Sequence, residues 1–283
     1  MKTGVFTDCI CDLPEDYLRA NGVEVMHFYI YTATGRFRDG EEITSGNILE
    51  YLESGNHLLR SNIPDPEEYA KFYRQGLQNY DEIIHIATSA KAGLSYQNAT
   101  QSLKLLGEDG KRVTVVDSEH LSSGLGHMVL QAVALRDSGK NAEEIARAMQ
   151  EMKHRVSSTF IVPNADYLYN MGKVNRLVRD LSRLLMLHPV LHLKNGKIAV
   201  KTVGVGNYEK AVMRYVENEF KQHEKIDKKQ LFITHAGCPT KLLSQITAVG
   251  RDLAFESVSV TMASAAISSN CGPQTVGVLF VNK

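Results

Sequence analysis

The sequence lacks the features that mark secreted, disulfide-stabilised and membrane-spanning proteins. Its 283 residues contain only four cysteines, Cys9, Cys11, Cys238 and Cys271. Four scattered cysteines are too few for a disulfide framework and are typical of a reducing compartment. No apolar run approaches the ~20 residues that a membrane-spanning helix needs. The segment Met1–Phe6 contains neither the charged region nor the long apolar region of a secretion signal. We therefore expect a cytoplasmic protein without stable membrane insertion.

Charge and motif content exclude several further classes. The 32 basic and 32 acidic side chains give a formal net charge of zero, so nothing predicts a general attraction to nucleic acid. Only Cys9 and Cys11 lie close together, whereas structural zinc typically has paired ligands in both halves of its motif. The segment Gly204–Glu209 places glutamate where a dinucleotide fingerprint requires glycine, and no P-loop pattern exists. We expect no metal and no cofactor.

The first half of the chain alternates strand and helix patterns. Gly4–Thr7, Glu82–Ile86 and Val113–Val116 are apolar runs of four or five residues rich in Val and Ile. Such runs are typical of strands buried on both faces. The helical patterns are Pro66–Leu77, Ser95–Leu106, Ser123–Ser138 and Ala142–Arg155, the last after an Asn141 cap. This alternation predicts βαβ units and a mostly parallel sheet.

The second half has a different pattern. Pro189–Leu193 and Ile198–Val203 are joined by a segment containing Asn195-Gly196, the strongest short-range hairpin signal, because both turn residues must accept positive φ. The elements predicted after it are a helix over Asn207–Gln222, a strand over Gln230–Thr234, a helix over Pro239–Asp252, and strands over Ser257–Met262 and Thr275–Val281. We predict an α/β protein of two domains. Residues 1–156 form a mostly parallel sheet with flanking helices, and residues 157–283 form an α+β domain with a mixed or antiparallel sheet.

Polar side chains follow three of the predicted parallel strands, where ligands bind in open parallel sheets. The segments are Thr7–Pro14, Ala87–Ser95 and Asp117–His120. The second places Ser95 at the start of a long helix, whose free N–H groups suit a carboxylate or phosphate. Alternatively, Ser95 only caps that helix, stabilising it by ~1 kcal/mol. Asp8 and Asp12 could bind a hard cation, although Asp12 more simply caps a helix starting at Pro14.

A hydrolase is an alternative from the same loop. Gly93-Leu94-Ser95-Tyr96-Gln97 follows a strand and opens a helix, and it resembles the nucleophile elbow of serine hydrolases. It lacks the second glycine, which lets helix and strand approach closely at that bend. A triad would also need a histidine, for which His235 at the end of a strand is the best candidate.

Taken together, the segments resemble the DegV family of bacterial fatty-acid-binding proteins over nearly the full length. The motifs that carry the resemblance are Thr7-Asp8 with Asp12-Leu13-Pro14, Arg38–Ile43, Arg60–Pro66 in the place of a Thr-Ser-Gln-Pro motif, Ser89–Ala99 in the place of a Ser-Gly-Thr-Tyr-Gln loop, Val116–Ser118, Asp166–Leu168 with Gly172–Val174, and Ile267–Pro273 in the place of a His-x-Gly-Pro motif. Their order and spacing match the family's.

The resemblance implies a carrier without catalytic residues, which holds a long acyl chain in a tunnel between the two domains. It further implies that hydroxyl and amide side chains hold the carboxylate, and that some members present it to a separate fatty-acid kinase. The ligand-binding residues carried over are Thr7, Asp8, Ser61, Asn62, Ser95, Asn270 and Gly272, with Lys173 as a partner contact. A diverged member that binds another ligand, or only a protein partner, is a third possibility.

The chain departs from the family pattern at the head-group positions. Ser61 replaces a threonine and keeps the hydroxyl, whereas Gly93-Leu94-Ser95 stands for Ser-Gly-Thr and loses one hydroxyl. Asn270 replaces a histidine, and an amide can donate a hydrogen bond but cannot carry a positive charge. Lys173 replaces an arginine and is a less directional donor.

Overall fold

The computed structural model describes residues 2–55, 59–170, 172 and 174–283. The strands are β1 Thr3–Asp8, β2 Val23–Met26, β3 Tyr29–Thr32, β4 Gly35–Arg38, β5 Arg60–Asn62, β6 Glu82–Ala87, β7 Val113–Asp117, β8 Val156–Ile161, β9 Leu187–Lys194, β10 Lys197–Val205, β11 Ile226–His235, β12 Ser257–Met262 and β13 Val276–Asn282. The α-helices are α1 Glu15–Ala20, α2 Ser45–Glu53, α3 Pro66–Gly76, α4 Ser95–Leu105, α5 Ser122–Asp137, α6 Ala142–Met152, α7 Asp166–Asn170, α8 Arg176–Leu184, α9 Tyr208–Lys221, α10 Thr240–Asp252 and α11 Ala265–Cys271.

Contacts divide the chain into two units, and the division is not a single cut. The first unit comprises Met1–Ile43, Leu58–Arg155 and Asn195–Lys197. The second comprises Thr44–His57, Val156–Lys194 and Ile198–Lys283. A single cut near residue 156 would misplace two segments. The segment containing α2 precedes that cut but groups with the second unit, and the turn between β9 and β10 follows it but groups with the first. Whether residues 1–156 and 157–283 are two independently folding domains stays a prediction.

The first unit is built on a four-stranded sheet of order β2-β1-β6-β7, in which every pairing is parallel. The three strands predicted from the Val- and Ile-rich runs are confirmed, each extended by one or two residues. All six residues of β1 are buried, as expected for a strand with covering layers on both faces. Its Phe6 packs with Tyr69, Tyr73 and Ile83 in the core. The mostly parallel architecture is therefore confirmed.

The first unit also contains a small antiparallel sheet of order β4-β3-β5, which the sequence did not predict. Its strands are only three or four residues long, and polar or aromatic residues predominate in them. Examples are Tyr29–Thr32, which contains two tyrosines, and Arg60–Asn62, which contains no apolar residue. Short strands with one exposed face lack the continuous apolar run that marks the parallel strands. This sheet matters because it carries Ser61 and Asn62.

The second unit is built on a six-stranded sheet of order β10-β9-β8-β13-β11-β12. The pairing of β11 with β12 is parallel, and those of β13 with β11 and β8 are antiparallel. The predicted α+β unit with a mixed sheet is confirmed. Strand β8 was not predicted because its sequence, Val-Ser-Ser-Thr-Phe-Ile, has a polar centre, although the two serines and the threonine are buried.

The β9–β10 hairpin is also as predicted. Its two turn residues have positive φ, 50° at Asn195 and 79° at Gly196, which is the backbone conformation that this hairpin turn demands. Throughout the part of the chain that the structure describes, no helix has the length and apolar composition needed to cross a bilayer. The cytoplasmic location stays a prediction.

Candidate functional site

A buried carboxylate, Asp8, lies at the carboxyl end of β1 and is surrounded by hydrogen-bond donors. Its Oδ2 accepts from the Thr88 backbone N–H and from Thr88 Oγ1, both at 2.7 Å. Ser95 Oγ, at the start of α4, donates to the same oxygen. Its Oδ1 accepts from the Tyr69 hydroxyl at 2.9 Å and lies 3.3 Å from His85 Nε2. We call these residues, together with Tyr73, the Asp8 network.

Opposing effects act on the Asp8 carboxyl group, which is fully buried. Burial raises its pKa, whereas the hydrogen bond and charge interaction with His85 lower it, as do the hydrogen bonds from Ser95 and Thr88. The net effect is a pKa below the usual range. Because hydrogen bonds to the charged form favour ionisation, Asp8 is a carboxylate at neutral pH.

The hydrogen-bond partners of His85 place a proton on its Nε2. This atom lies 3.3 Å from Asp8 Oδ1, and an ionised carboxylate can only accept a hydrogen bond. The Tyr73 hydroxyl lies 2.9 Å from the other ring nitrogen, Nδ1. Burial, and then the Asp8 charge, raise the pKa of Tyr73 well above its usual range, so this phenol keeps its proton. Tyr73, His85 and Asp8 thus form one hydrogen-bonded chain.

Ser95 is not the cap of α4, and that prediction is wrong. The N-cap residue is Leu94, which makes no side-chain cap bond, and Ser95 is the first helical residue. A capping hydroxyl accepts a bond from a backbone N–H of the first turn. The Ser95 hydroxyl instead donates its proton to Asp8, and it lies 3.0 Å from the Tyr69 hydroxyl. The buried charge is the stronger partner, because charge-assisted hydrogen bonds exceed neutral ones.

Asp12 does not cap helix α1, which the sequence had predicted it to do. That helix begins at Glu15, and its N-cap residue is Pro14, which makes no side-chain cap bond. Asp12 has φ 52°, and its carboxylate accepts from Ser122 Oγ at 2.5 Å. The Asp12 carboxylate therefore links the segment after β1 to the first residue of α5. Within the described residues, no group of three or more His, Cys, Asp or Glu side chains is arranged to hold a metal ion.

Thr7 and the loop after β6 complete this edge of the sheet. Thr7 Oγ1 donates to the Ile86 carbonyl oxygen at 3.0 Å, so its proton is used between two strands. The Ser89 carbonyl oxygen accepts from the N–H groups of Ala92 and Gly93 at 3.0 and 3.2 Å. The Ser89 N–H donates to the His120 carbonyl oxygen at 2.9 Å. The loops after β6 and β7 are therefore joined where parallel strands end.

Ser61 and Asn62 lie side by side in β5 but point to opposite faces of the small sheet. Ser61 pairs with buried Ile30 and Asn62 with Tyr29, and successive side chains of a strand alternate between faces. A ligand on one face can therefore contact only one of the two side chains. Both residues are exposed.

The chain after β5 contacts the loop that precedes α4. Asn98 Nδ2 in α4 donates to the Pro64 carbonyl oxygen at 2.8 Å. A Cβ atom placed on Gly93 would lie only 2.8 Å from Ile63 Cδ1. The isoleucine thus fills the space that a side chain at position 93 would occupy. The structure therefore brings the Ser61 segment near the Ser95 loop, with Ile63 packed between them.

The remaining predicted site residues lie in the second unit. Asn270 is exposed near the end of α11, and its Nδ2 donates to the Ala266 carbonyl oxygen at 2.7 Å. Gly272 ends that helix with φ 81°, and its N–H donates to the Ser268 carbonyl oxygen at 2.9 Å. The predicted partner contact, Lys173, lies outside the described residues.

The residues that a serine hydrolase would need have other partners. Ser95 is fully buried, and its proton is donated to Asp8. His235 Nδ1 accepts from the Cys238 N–H at 3.2 Å, and burial lowers the pKa of His235. Neither group has the geometry of a nucleophile with its base.

Sequence reasoning missed Tyr69, Tyr73 and His85 as members of the site. One signal could have found them. His85 interrupts the apolar run Ile83–Ala87 of β6, and a polar side chain inside a strand buried on both faces needs buried partners. Tyr69 and Tyr73 are four residues apart on α3, so they lie on one face of the helix and can both reach it.

Comparison with known proteins gives consistent matches over the whole chain. A family profile described as "Uncharacterised protein, DegV family" matches residues 2–283. A DegV domain-containing protein of Caldanaerobacter subterraneus subsp. tengcongensis is 25% identical over 285 residues, covering 100% of this chain and 99% of that protein.

Solved structures agree with the sequence matches. A DegV family protein from Thermus thermophilus, described by its fatty acid binding, is 26% identical, with a TM-score of 0.88 and coverage of 100% of both chains. DegV from Bacillus subtilis, described as a fatty acid binding protein, is 20% identical, with a TM-score of 0.84 and the same coverage. At 20% identity, the similarity to the Bacillus subtilis protein shows only that the two chains share a fold.

Proposed function

This chain belongs to the DegV family, and we propose that it binds a long-chain fatty acid or a similar lipid and acts as a carrier rather than an enzyme. The observation that carries the proposal is the Thermus thermophilus relative, described by its fatty acid binding, which matches this chain over its full length at 26% identity. Each buried CH₂ group contributes ~0.8 kcal/mol, so a long acyl chain would bind far more tightly than a short one.

The geometry of the first unit supports a site for the carboxylate head group. The amino terminus of α4 lies beyond the carboxyl end of a parallel sheet, and its N-cap residue, Leu94, makes no side-chain cap bond. Unpaired N–H groups and the helix dipole at such a position favour an anion. Since the Ser95 hydroxyl donates to Asp8, we propose that Ser95 contributes mainly its backbone N–H and fixes the first turn of the helix.

We also propose three finer features of fatty acid binding. These are the tunnel for the acyl chain between the two domains, the head-group contacts of Ser61 and Asn270, and the presentation of the carboxylate to a separate kinase through Lys173. For Ser61 and Asn62, the alternation of β5 favours Ser61, because it shares a face with Ile30. The Asn270 amide donates to the Ala266 carbonyl oxygen and to Ser269 Oγ, so its proposed contact with a carboxylate requires it to exchange one of these partners.

A direct experiment tests the proposed function. Protein produced in bacteria is extracted with organic solvent, and the extract is examined by mass spectrometry. The delipidated protein is then titrated with cis-parinaric acid, which is displaced by stearic acid, octanoic acid or methyl stearate. We expect one long-chain acid per chain, weak displacement by octanoic acid, and weaker displacement by the ester than by the acid. An empty protein that binds none of these ligands would refute the proposal, and extraction of a different lipid class would indicate a diverged member.

No structural observation favours the hydrolase alternative. It would require Ser95 to leave the buried carboxylate that accepts its proton. Turnover of a p-nitrophenyl ester that disappears in Ser95→Ala would nevertheless support it.

A further inference from the structure

The turn of the β9–β10 hairpin is bound by the loop that precedes α4. This turn, Asn195–Lys197, groups with the first unit. Ser89 Oγ donates to the Gly196 carbonyl oxygen at 2.7 Å. Lys91 Nζ donates to the Asn195 carbonyl oxygen at 2.8 Å. One short loop thus provides side-chain donors for two consecutive carbonyl groups, more than 100 residues away in sequence.

Ser89 is the central residue of this contact, and it is fully buried. Its backbone already closes the loop, because its carbonyl oxygen accepts from Ala92 and Gly93. Its hydroxyl has one proton, which is donated to Gly196, and a buried hydroxyl that loses its acceptor is strongly unfavourable. The same residue therefore shapes the loop and attaches it to the turn.

The turn is adapted to this close approach. A Cβ atom on Gly196 would lie 2.6 Å from Ser89 Oγ, and the φ of 79° is one that residues with a Cβ rarely adopt. Glycine at position 196 is thus required twice, once by the backbone of the turn and once by the contact with Ser89. The steric requirement is specific to Ser89, because a hairpin turn alone demands only the positive φ.

Apart from its contact with the turn, the loop is held by hydrogen bonds of its backbone rather than by side-chain packing. Ala90, Lys91 and Ala92 are exposed, so little side-chain packing fixes them. The Ala90 N–H donates to Asp117 Oδ1 at 3.1 Å, which attaches the middle of the loop to the strand end of β7. The side chains of Ser89 and Lys91 add to these backbone bonds their own hydrogen bonds to the hairpin turn.

We propose that Ser89, Lys91 and Gly196 are positioning residues for the ligand site. The hairpin turn holds the loop so that the first turn of α4 stays oriented toward the carboxylate, and release of the turn permits ligand exchange. The statement about the ligand rests on the proposed function, whereas the attachment of the loop to the turn does not.

Two measurements on the same full-length variants test this inference. Hydrogen exchange of peptides covering residues 88–95 reports whether the loop is held. The dissociation rate of cis-parinaric acid, measured by chasing the loaded protein with delipidated albumin, reports ligand exchange. In Ser89→Ala we expect both rates to rise about tenfold. In Lys91→Met, which removes an exposed donor, we expect about a threefold rise.

Three further variants separate positioning from general destabilisation. Lys91→Arg restores a donor and should return both rates to native values. Lys104→Met removes an exposed lysine at the other end of α4, and it should change neither rate. Gly196→Ala should raise both rates, and its combination with Ser89→Ala should raise them less than the product of the single effects, because removal of Oγ relieves the 2.6 Å clash.

The outcomes are distinguishable from those that test the proposed function. Native exchange and dissociation rates in both Ser89→Ala and Lys91→Met would overturn the inference. Faster exchange with unchanged dissociation would also overturn it, since the loop would then be held without affecting the ligand. If the native protein binds no fatty acid, the proposed function and the positioning role both fail, while hydrogen exchange still decides whether the turn holds the loop. If Ser89→Ala does not fold, Lys91→Met and Lys91→Arg decide.

Discussion

Replacement of Asp8 by asparagine should be among the most damaging isosteric substitutions in the first unit. The carboxylate accepts from the Thr88 N–H, Thr88 Oγ1, Ser95 Oγ and the Tyr69 hydroxyl, with His85 Nε2 at 3.3 Å. An amide has one acceptor oxygen and one NH₂ group, which is a donor. Whichever way the amide is turned, donors that formerly met an oxygen then meet a donor.

The magnitude follows from which of those donors can adapt. Hydroxyl protons can rotate away and His85 can change its tautomer, but the Thr88 backbone N–H cannot move its proton. If the amide oxygen faces Thr88, then Tyr69 and His85 lose their acceptor instead. Each buried group left without a partner costs about 1–3 kcal/mol. One rigid donor is unpaired in one orientation, and Tyr69 and His85 must adapt in the other, so Asp8→Asn should lower the free energy of unfolding by about 1–3 kcal/mol at neutral pH.

The stability lost in Asp8→Asn should depend on pH. Because the pKa of Asp8 is depressed in the folded protein, the carboxylate contributes stability above the unfolded-state pKa of about 3.9. That contribution is lost as pH falls through the lower folded-state pKa. The difference between native protein and Asp8→Asn should therefore be largest at neutral pH and should shrink below about pH 4.

Urea unfolding of both proteins, followed by circular dichroism between pH 2.5 and pH 7, checks this reasoning. Asp109→Asn is the matched control, because Asp109 is largely exposed and lies 3.2 Å from Arg112. The control should stay within about 0.5 kcal/mol of the native protein. A loss below about 1 kcal/mol in Asp8→Asn, or a loss that is the same at every pH, would refute the argument that the buried charge is held by its donors.

Three further substitutions should have defined effects on urea unfolding. Tyr73→Phe removes the hydrogen-bond partner of the buried His85 Nδ1 and should cost about 1–2 kcal/mol; an unchanged midpoint would show that the hydroxyl is not needed there. Gly93→Ser should cost at most about 1 kcal/mol, because only the flexible end of Ile63 must move, and Ile63→Ala should recover part of that loss in the double variant. Glu219→Gln leaves Lys201, which lies 2.7 Å from one carboxylate oxygen, without its buried counter-charge, and should cost about 2–4 kcal/mol; a loss that matches the exposed control Asp109→Asn would contradict this.

Much of the fold could be predicted from the sequence because it is encoded locally. The Val- and Ile-rich runs and the Asn195-Gly196 turn are signals within a few residues, and they gave the parallel sheet and the hairpin. Strand β5 could not be predicted in the same way, since Arg-Ser-Asn has no apolar run and forms a strand only through its pairing with β3. The division of the chain by contacts also depends on tertiary structure, as the segment containing α2 shows.

The sequence predicted that Ser95 would open a helix beyond a parallel strand, but not the hydrogen bonds that it makes. Ser95 begins α4 after the loop that follows β6, and its hydroxyl partner Asp8 is 87 residues away in sequence. Asp8 is also 61 residues from Tyr69 and 77 from His85. No local pattern reveals which buried acceptor a serine will meet, so a hydroxyl that reads as a helix cap can belong to a charged network.

The Asp8 network has a consequence for how the first unit assembles. Its members come from β1, α3, β6, the loop after β6, and α4, so the carboxylate can leave water without a large penalty only when these segments come together. A partly assembled state, with β1 and β6 paired but α3 or α4 undocked, would bury a charge with too few donors and would be high in free energy. Such states should be sparsely populated during folding, because the cost of one charge links segments that are far apart in sequence. We therefore expect the parallel sheet and its two helices to fold and unfold as one cooperative unit.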